Sequence, residues 1–360
     1  MFEKEKISAQ QFGILVFLYT IGSTILLSPS GLASIAKQDG WLAAVLGIGI
    51  GIIFILIYSA LANLFPDMTF VEYSEKILGK WMGKMVSLLF VLFSFIGAAT
   101  VLFHMGNFLV TQIMPGTPIQ VFNATLTLVV ILGLSLGIEV FARTSETFLP
   151  WVVFLLSFLI LSVVPQVDIK NIQPILEDGI KPLMKASLSF TSVAALPCIV
   201  FSMIIPHVKK RENVQKVFIL SMALGGMVVV MITFLTISVL GTHLTAKSAF
   251  PSYILAKKIN VGNFLTRIEV IVAILWFITI YYKILLYFYA CILGTAQIFR
   301  LKSYRPIIVP FGILLFFCSL IVYPNIVYAA EWDSTTWVVY AFTFGFFIPL
   351  LLFIIAKIRF

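Results

Sequence analysis

The chain has 360 residues, 61% of them hydrophobic and only 11% charged, where a soluble domain carries roughly 25% charged residues. This excludes an ordinary soluble domain and indicates an integral membrane protein. A net charge of +9 raises nucleic acid as a partner, but the basic residues follow the rhythm of the apolar segments. The expected partner surface is therefore the lipid bilayer, not nucleic acid.

Charge-free tracts divide the chain. Nothing charged lies between Lys6 and Lys37, Asp39 and Asp67, Lys84 and Glu139, Glu146 and Asp168, Lys185 and Lys209, Lys216 and Lys247, Arg305 and Glu331, or Asp333 and Lys357. Each tract exceeds the ~20 residues a spanning helix needs. Met114-Pro115-Gly116-Thr117-Pro118 is a turn that splits the third tract in two. A further segment after Arg267 brings the expectation to ten spans. The start, with Glu3, Lys4, Glu5 and Lys6, has mixed charge and no small-residue cleavage site, so the first span is not read as a removable signal peptide.

The first span, roughly 9 to 36, is interrupted at Tyr19-Thr20-Ile21-Gly22-Ser23-Thr24-Ile25-Leu26-Leu27-Ser28-Pro29. Glycine favours no helix, the Ser23 and Thr24 hydroxyls compete for local backbone, and Pro29 lacks a donor. In hydrocarbon such a break is tolerated where the freed backbone faces protein, water or a ligand. A half-membrane binding site is one reading; a kinked helix using glycine for packing is the other.

The second span, roughly 41 to 64, carries Gly47, Gly49 and Gly51, a close-packing face. Residues 66 to 81 read as a short amphipathic cytoplasmic helix, with Thr69 and Glu72 at capping-box spacing and Gly79 as C-cap. Its Phe70, Tyr73, Ile77 and Trp81 suit the membrane interface or a partner subunit.

The third span, roughly 85 to 112, places His104 and Asn107 on one side, either to line a ligand or proton path or to make an interhelical hydrogen bond. The fourth, roughly 119 to 138, contains Gly133-Leu134-Ser135-Leu136-Gly137. This matches a nucleophile pattern whose meaning depends on a strand-turn-helix setting. An unbroken apolar helix is expected here, so small-residue packing is the reading and no enzyme is expected. Asn123-Ala124-Thr125 lies in the same span and is discarded as a glycosylation sequon. Residues 139 to 146 read as a short cytoplasmic link before a fifth span, roughly 147 to 165.

The sixth span, roughly 183 to 207, runs Ser187, Ser189, Thr191, Ser192, Val193, Ala194 and Ala195 into Pro197 and is the second break. After a seventh span, roughly 217 to 240, comes a long outer loop from Gly241 to Arg267. The eighth span ends near 298 and carries Glu269, Trp276 and Lys283 on one face. Glu269 and Lys283 stand ~21 Å apart along the axis and cannot pair directly. Lys283 is a functional candidate, against snorkelling or a structural partner on another helix. Thr279, Tyr282 and Lys283 lie at mid-helix depth as candidate core polar groups. The ninth and tenth spans, roughly 307 to 324 and 334 to 356, show nothing site-like beyond Pro310 and Pro349.

Lys4, Lys6, Lys76, Lys80, Lys84, Arg143, Lys209, Lys210, Arg211, Lys216, Arg300, Lys302, Arg305, Lys357 and Arg359 fall on segments of one side, against Lys37, Lys170, Lys181, Lys185, Lys247, Lys257, Lys258 and Arg267 on the other. The positive-inside bias puts both termini in the cytoplasm. Cys198, Cys291 and Cys318 lack C-x-x-C spacing, which argues against a disulfide framework or zinc, and no cofactor or metal is expected.

Ten spans divide five plus five, and an odd number per half inverts the halves. The expected architecture is an all-α membrane protein, one membrane domain over 1–360, built as a 5+5 inverted repeat of the LeuT-like kind. The repeats are 1–166 and 183–360, and broken helices 1 and 6 stand in matching places. Half-helix ends suit the carboxylate and ammonium of an amino acid.

The Gly22-Ser23-Thr24 to Pro29 break, the segment from Phe65-Pro66-Asp67 to Gly79-Lys80-Trp81, the Phe250-Pro251-Ser252 loop and Arg267-Ile268-Glu269 leading to Trp276 together resemble the B subunit of nutrient germinant receptors. That is the endospore germination permease family of the amino acid-polyamine-organocation superfamily. The resemblance implies a multi-pass subunit in the spore inner membrane or cell membrane that detects a small-molecule germinant, an amino acid or similar nutrient, beside an A subunit and a lipoprotein C subunit. It implicates Gly22, Ser23, Thr24, Thr191, Ser192, Val193, Ala194 and Thr279 in ligand binding. The second glycine of the permeases' G-S-G pattern is replaced here by Thr24. The alternative function is an ion-coupled secondary amino-acid transporter. The absence of a carboxylate near the breaks, with Glu269 and Glu139 the nearest candidates, tips the balance to the sensor.

Overall fold

The computed structural model describes residues 6–209, 213–258 and 269–360. Lys4, Lys210, Arg211, Arg267 and Ile268, used above for topology and resemblance, lie outside the described residues. The rest is helical. Among the described residues, seven segments are long and apolar enough to cross a bilayer, or eight if Arg305–Ile321 and Ile326–Ser334, bent by 100° at their junction, form one span.

The first expected span is two helices, α1 (Ala9–Ile21) and α2 (Thr24–Ala36), separated at Gly22 and Ser23. α1 starts at a capping box in which the Ser8 hydroxyl accepts the Gln11 amide and the Gln11 side chain accepts the Ser8 amide. Pro29 is buried inside α2 and does not interrupt it, so the glycine-serine pair alone makes the break. α3 (Gly40–Leu64) follows after a tight turn.

α4 (Phe70–Leu78) begins at the expected capping box of Thr69 and Glu72, and Gly79 at φ +84° ends it. Its apolar face has a different use from that expected: Phe70, Tyr73 and Ile77 are buried in the protein's own core. Phe70 stacks on Phe90 with ring centroids 4.3 Å apart, and only Trp81 stands exposed. That face is therefore consumed internally and is not free for lipid or a partner subunit.

α5 (Lys80–Phe108) ends in a π-turn over Leu109–Ile113. α6 (Ile119–Ser135) stops earlier than expected, because Gly137 at φ +90° turns the chain. The Gly133 to Gly137 stretch therefore straddles a helix end, with the Ser135 hydroxyl donating 2.7 Å to the Ile131 carbonyl of its own helix. Residues 139 to 146, expected as a link, are the first turns of α7 (Ile138–Val163). Asn123, discarded as a sequon, is buried, and its amide donates 3.0 Å to the Ser319 hydroxyl.

The second break follows the same logic with proline in place of glycine. α8 (Ile180–Ala194) gives way to a tighter 3-10 stretch over Leu196–Met203. Pro197 has no amide hydrogen to give the carbonyl four residues earlier, that of Val193. The unwound carbonyls find buried tyrosines: Tyr19 donates 3.1 Å to Pro197, and Tyr58 donates to both Leu196 and Gly345.

α9 (Val214–Lys247) continues past a kink at Gly241 into the region expected as loop, and α10 (Pro251–Lys257) follows. α11 (Glu269–Ile298) is the central post. Every residue from Tyr282 to Ala296 is buried, the mark of a helix surrounded on all sides. α12 (Arg305–Ile321), α13 (Ile326–Ser334), α14 (Thr336–Phe342) and α15 (Ile348–Arg359) complete the chain. A π-turn over Thr343–Phe347 joins the last two and presses Gly345 against Leu196.

Of Gly47, Gly49 and Gly51, expected as a close-packing face, two pack. A Cβ on Gly47 would come within 2.6 Å of the Phe190 ring and 3.0 Å of the Ser187 carbonyl, and one on Gly51 within 2.6 Å of Ala195, whereas Gly49 faces open space. Gly47→Ala is therefore expected to lower stability in detergent by about 1–3 kcal/mol through overpacking against α8. Gly49→Ala should be neutral or stabilising by up to about 1 kcal/mol. Thermal unfolding of the two variants, showing equal losses, would contradict this packing.

Candidate functional site

The two breaks face each other across one side chain. Lys283, on α11, is 2% exposed, and its Nζ donates 3.2 Å to the Thr24 hydroxyl at the start of α2 and 3.3 Å to the Val193 carbonyl near the end of α8. The acceptor on α8 is the carbonyl that Pro197 deprives of a helical donor. The ammonium also lies 5.3 Å from the centroid of the Tyr19 ring, within range of a cation–π attraction. Among the described residues no carboxylate pairs with it. A charged side chain at the centre of a spanning helix costs about 2.5–3.5 kcal/mol on insertion scales, so this placement is not neutral packing.

Above Lys283 opens a cavity of about 340 Å³, lined by Ser23, Ser28, Ser30, Gly31 and Ser34 of α2, Thr100, Val101 and His104 of α5, and Ser189, Phe190 and Val193 of α8. Lys283 and Tyr287 of α11 and Ala330, Asp333, Ser334 and Trp337 also line it, and apolar side chains such as Leu27, Leu32 and Ile326 make up much of the remaining wall. From Ser23 to Ile35 the α2 wall rises ~18 Å at 1.5 Å per residue. On the opposite side of the breaks the space is filled. Phe12, Tyr19, Phe201 and Phe218 pack edge to face, with centroids 5.3–5.6 Å apart. Below them, Ile7 pairs with the chain at His207 and Lys209 through hydrogen bonds of 2.9 and 2.8 Å.

The candidate residues separate into groups. Ser23, Val193, His104 and Lys283 line the cavity. Thr24 supports Lys283, and Gly22 gives it room: a Cβ there would lie 2.5 Å from Lys283 Cδ and 3.0 Å from its Cβ. Thr191 turns to α3, donating 2.7 Å to the Ser187 carbonyl and 3.2 Å to that of Gly47. The Ser192 hydroxyl donates to Ser189, and its carbonyl accepts 3.1 Å from the Trp337 indole. Ala194 is buried, and its carbonyl faces the Cys198 thiol at 3.6 Å. Thr279, one turn before Lys283, is buried and bonds its own helix at Leu275. Tyr282 faces α7, donating 2.9 Å to the Thr144 hydroxyl. Asn107 is partly buried beyond the cavity, and Glu269 is partly exposed at the start of α11.

His104 has a partner that sequence reasoning did not find. Its Nε2 lies 2.9 Å from Asp333 Oδ2, and the Tyr323 hydroxyl donates 3.1 Å to Asp333 Oδ1. Asp333 sits on α13, in a region expected to be featureless. The cluster Glu331-Trp332-Asp333 in an otherwise apolar C-terminal third was the available signal. In a double-mutant cycle of His104→Ala and Asp333→Ala, thermal unfolding should show a coupling of about 0.5–3 kcal/mol. Additive effects would mean that the pair does not tie α5 to α13.

Comparison with known proteins places this geometry in context. The profile of a family described as "Spore germination protein" matches residues 6–327. Spore germination protein KB of Bacillus subtilis (strain 168) is 31% identical over 328 residues, 90% of this chain and 87% of that protein. Spore germination protein YndE of the same strain is 25% identical over 315 residues, 86% and 85% of the two chains. Among solved structures, Mhp1, a nucleobase-cation-symport-1 family transporter in a closed conformation with bromovinylhydantoin bound, aligns with a TM-score of 0.71 at 11% identity. The alignment covers 99% of this chain and 90% of that one. MhsT in complex with L-phenylalanine aligns with a TM-score of 0.68 at 14% identity, covering 99% and 100%. Both are LeuT-fold transporters, and at these identities the likeness concerns the fold.

Proposed function

This chain belongs to the spore germination protein family, and from that premise we propose that it is the membrane subunit of a spore germinant receptor. It binds a small nutrient, an amino acid before other classes, in the cavity above Lys283. The observation that carries this reading is the meeting of two interrupted helices at one buried ammonium, at the closed end of a cavity of about 340 Å³. That volume lies in the range of small-molecule sites. In such folds half-helix ends hold the substrate near the membrane midplane.

On this reading the chain makes ten spans. α1 with α2, α8 with its 3-10 stretch, and α14 with α15 each count as one, and the halves 1–166 and 183–360 form inverted five-helix repeats. Both termini are cytoplasmic, and the membrane is the spore inner membrane. Of the expected ligand residues, Gly22, Ser23, Thr24 and Val193 make the site, and Thr191, Ser192, Ala194 and Thr279 brace the helices behind it. Within it, Ser23 and Val193 meet the ligand while Gly22 and Thr24 act through Lys283. The A subunit and the lipoprotein C subunit read the bias that ligand binding gives to the two halves, which requires different ligand affinity in the two arrangements. A second reading, an ion-coupled amino-acid transporter, is favoured by the alignment with transporters along nearly the whole chain.

Gly22→Leu tests the site, because the new side chain must displace Lys283. Spores carrying it should accumulate the protein normally yet need at least about tenfold more nutrient for half-maximal germination, a loss of ~1.4 kcal/mol or more. Normal abundance with an unchanged dose response would sink the assignment. The two readings part in liposomes carrying the purified chain and labelled amino acids. Saturable binding without uptake is expected of the receptor, whereas uptake driven by a proton or sodium gradient would make the chain a transporter.

A further inference from the structure

Resting on the reading of the cavity as a small-molecule site, we propose that its ligand carries a carboxylate and that Lys283 is the counter-ion. The cavity then accepts anionic and zwitterionic small molecules and rejects those that carry only positive charge.

The argument starts from the charge balance of the cavity floor. The Lys283 ammonium is bound by neutral acceptors alone, the Thr24 hydroxyl at 3.2 Å and the Val193 carbonyl at 3.3 Å. An ammonium has three donors, which leaves one beyond these two. The α11 residues from Tyr282 to Ala296 are buried around the whole helix, so the ammonium reaches solvent only through the cavity it lines. A lysine kept for structure alone pairs with carboxylates or backbone carbonyls, and among the described residues Lys283 has a single carbonyl and no carboxylate. None is in place: α1, α2, α5 and α8 contain no Asp or Glu, and on α11 Glu269 stands ~21 Å away along the axis. The carboxylate on the cavity wall, Asp333, is engaged by His104 at 2.9 Å and Tyr323 at 3.1 Å.

The backbone at the floor has the same sign. α2 begins at Ser23, which lines the cavity, and no side chain caps it. The first amides of a helix have no intrahelical partner, and their dipoles make that end positive. Lys283 therefore adds its charge to a helix end that already favours an anion. The compensating carbonyl of Val193 is one neutral dipole. A carboxylate entering along the serine-lined wall of α2 would meet the spare ammonium hydrogen beside the positive end of the α2 dipole, whereas a cationic ligand would be repelled by both.

The test is direct binding to the purified full chain in lipid nanodiscs, by titration calorimetry. The probes are the twenty protein L-amino acids, their carboxamides, propionate, and glucose as a neutral control. The acids that bind should outbind their own amides by at least about tenfold. Lys283→Met should weaken the acids by a similar factor and close the gap to the amides, with its unfolding temperature retained. If Lys283→Met does not fold, Lys283→Arg takes its place and should keep the preference for acid over amide. Amides that bind as tightly as acids, or acids that bind Lys283→Met unchanged, would overturn the proposal. Glucose binding that is lost in Gly22→Leu and indifferent to Lys283→Met would overturn it while leaving the cavity reading intact. No binding by any probe would remove both.

Discussion

A helix interrupted inside a bilayer leaves amides and carbonyls with no water to receive them, and the centre of this protein is built to satisfy two such interruptions. Around the second, four backbone carbonyls take side-chain donors. Trp337 serves Ser192, Lys283 serves Val193, Tyr58 serves Leu196, and Tyr19 serves Pro197. These donors come from α14, α11, α3 and α1. Four elements distant in sequence are thus fixed around one unwound stretch. The glycines then follow from the donors: Gly47 and Gly51 let α3 approach closely enough for Tyr58 to reach Leu196, and Gly345 lets the last helix press against the same residue.

The two sides of the breaks are unlike. Toward the N-terminus, four aromatic rings pack edge to face above the paired Ile7 segment. Toward the far end of α2 lies a largely apolar cavity with a few serines on its α2 wall and His104 and Asp333 on its flank. A molecule entering from the hollow side would stop at Lys283. It would there contact α2 from the first half of the chain and α8 from the second, which is where a small ligand has most leverage over their relative position.

Much of this was legible in the sequence, and the failures have physical causes. Gly22 with Ser23 and Pro197 marked both breaks. Pro29 misled: it lies past the first turn of α2, and the Ile25 carbonyl that it leaves without a helical donor takes the Ser252 hydroxyl at 3.0 Å, so the helix continues. Thr191 was legible as polar but not in direction: the hydroxyl faces α3, and helix rotation depends on packing partners that no local pattern names. The apolar face of α4 was legible as a face, but whether lipid, a partner or its own core covers it is a tertiary fact. Asp333 was hidden for the same reason, its partner His104 lying on α5. Lys283 stood out as a lone charge in a span, yet only the fold brings it to both breaks.

The lysine also bears on which of the two functions suits the chain. A carrier coupled to an alkali cation or proton needs a charge that arrives and leaves, so that a gradient can drive the cycle. Here the positive charge that joins α2 to α8 is tethered to α11 and buried. The tie therefore needs no alkali cation from either side of the membrane. What can change is which groups share the ammonium. A ligand that draws it from Thr24 or Val193 alters the connection between the halves while being held, and need not cross the membrane to do so. A shift of that kind, proportional to occupancy, fits the receptor reading proposed above better than the carrier reading.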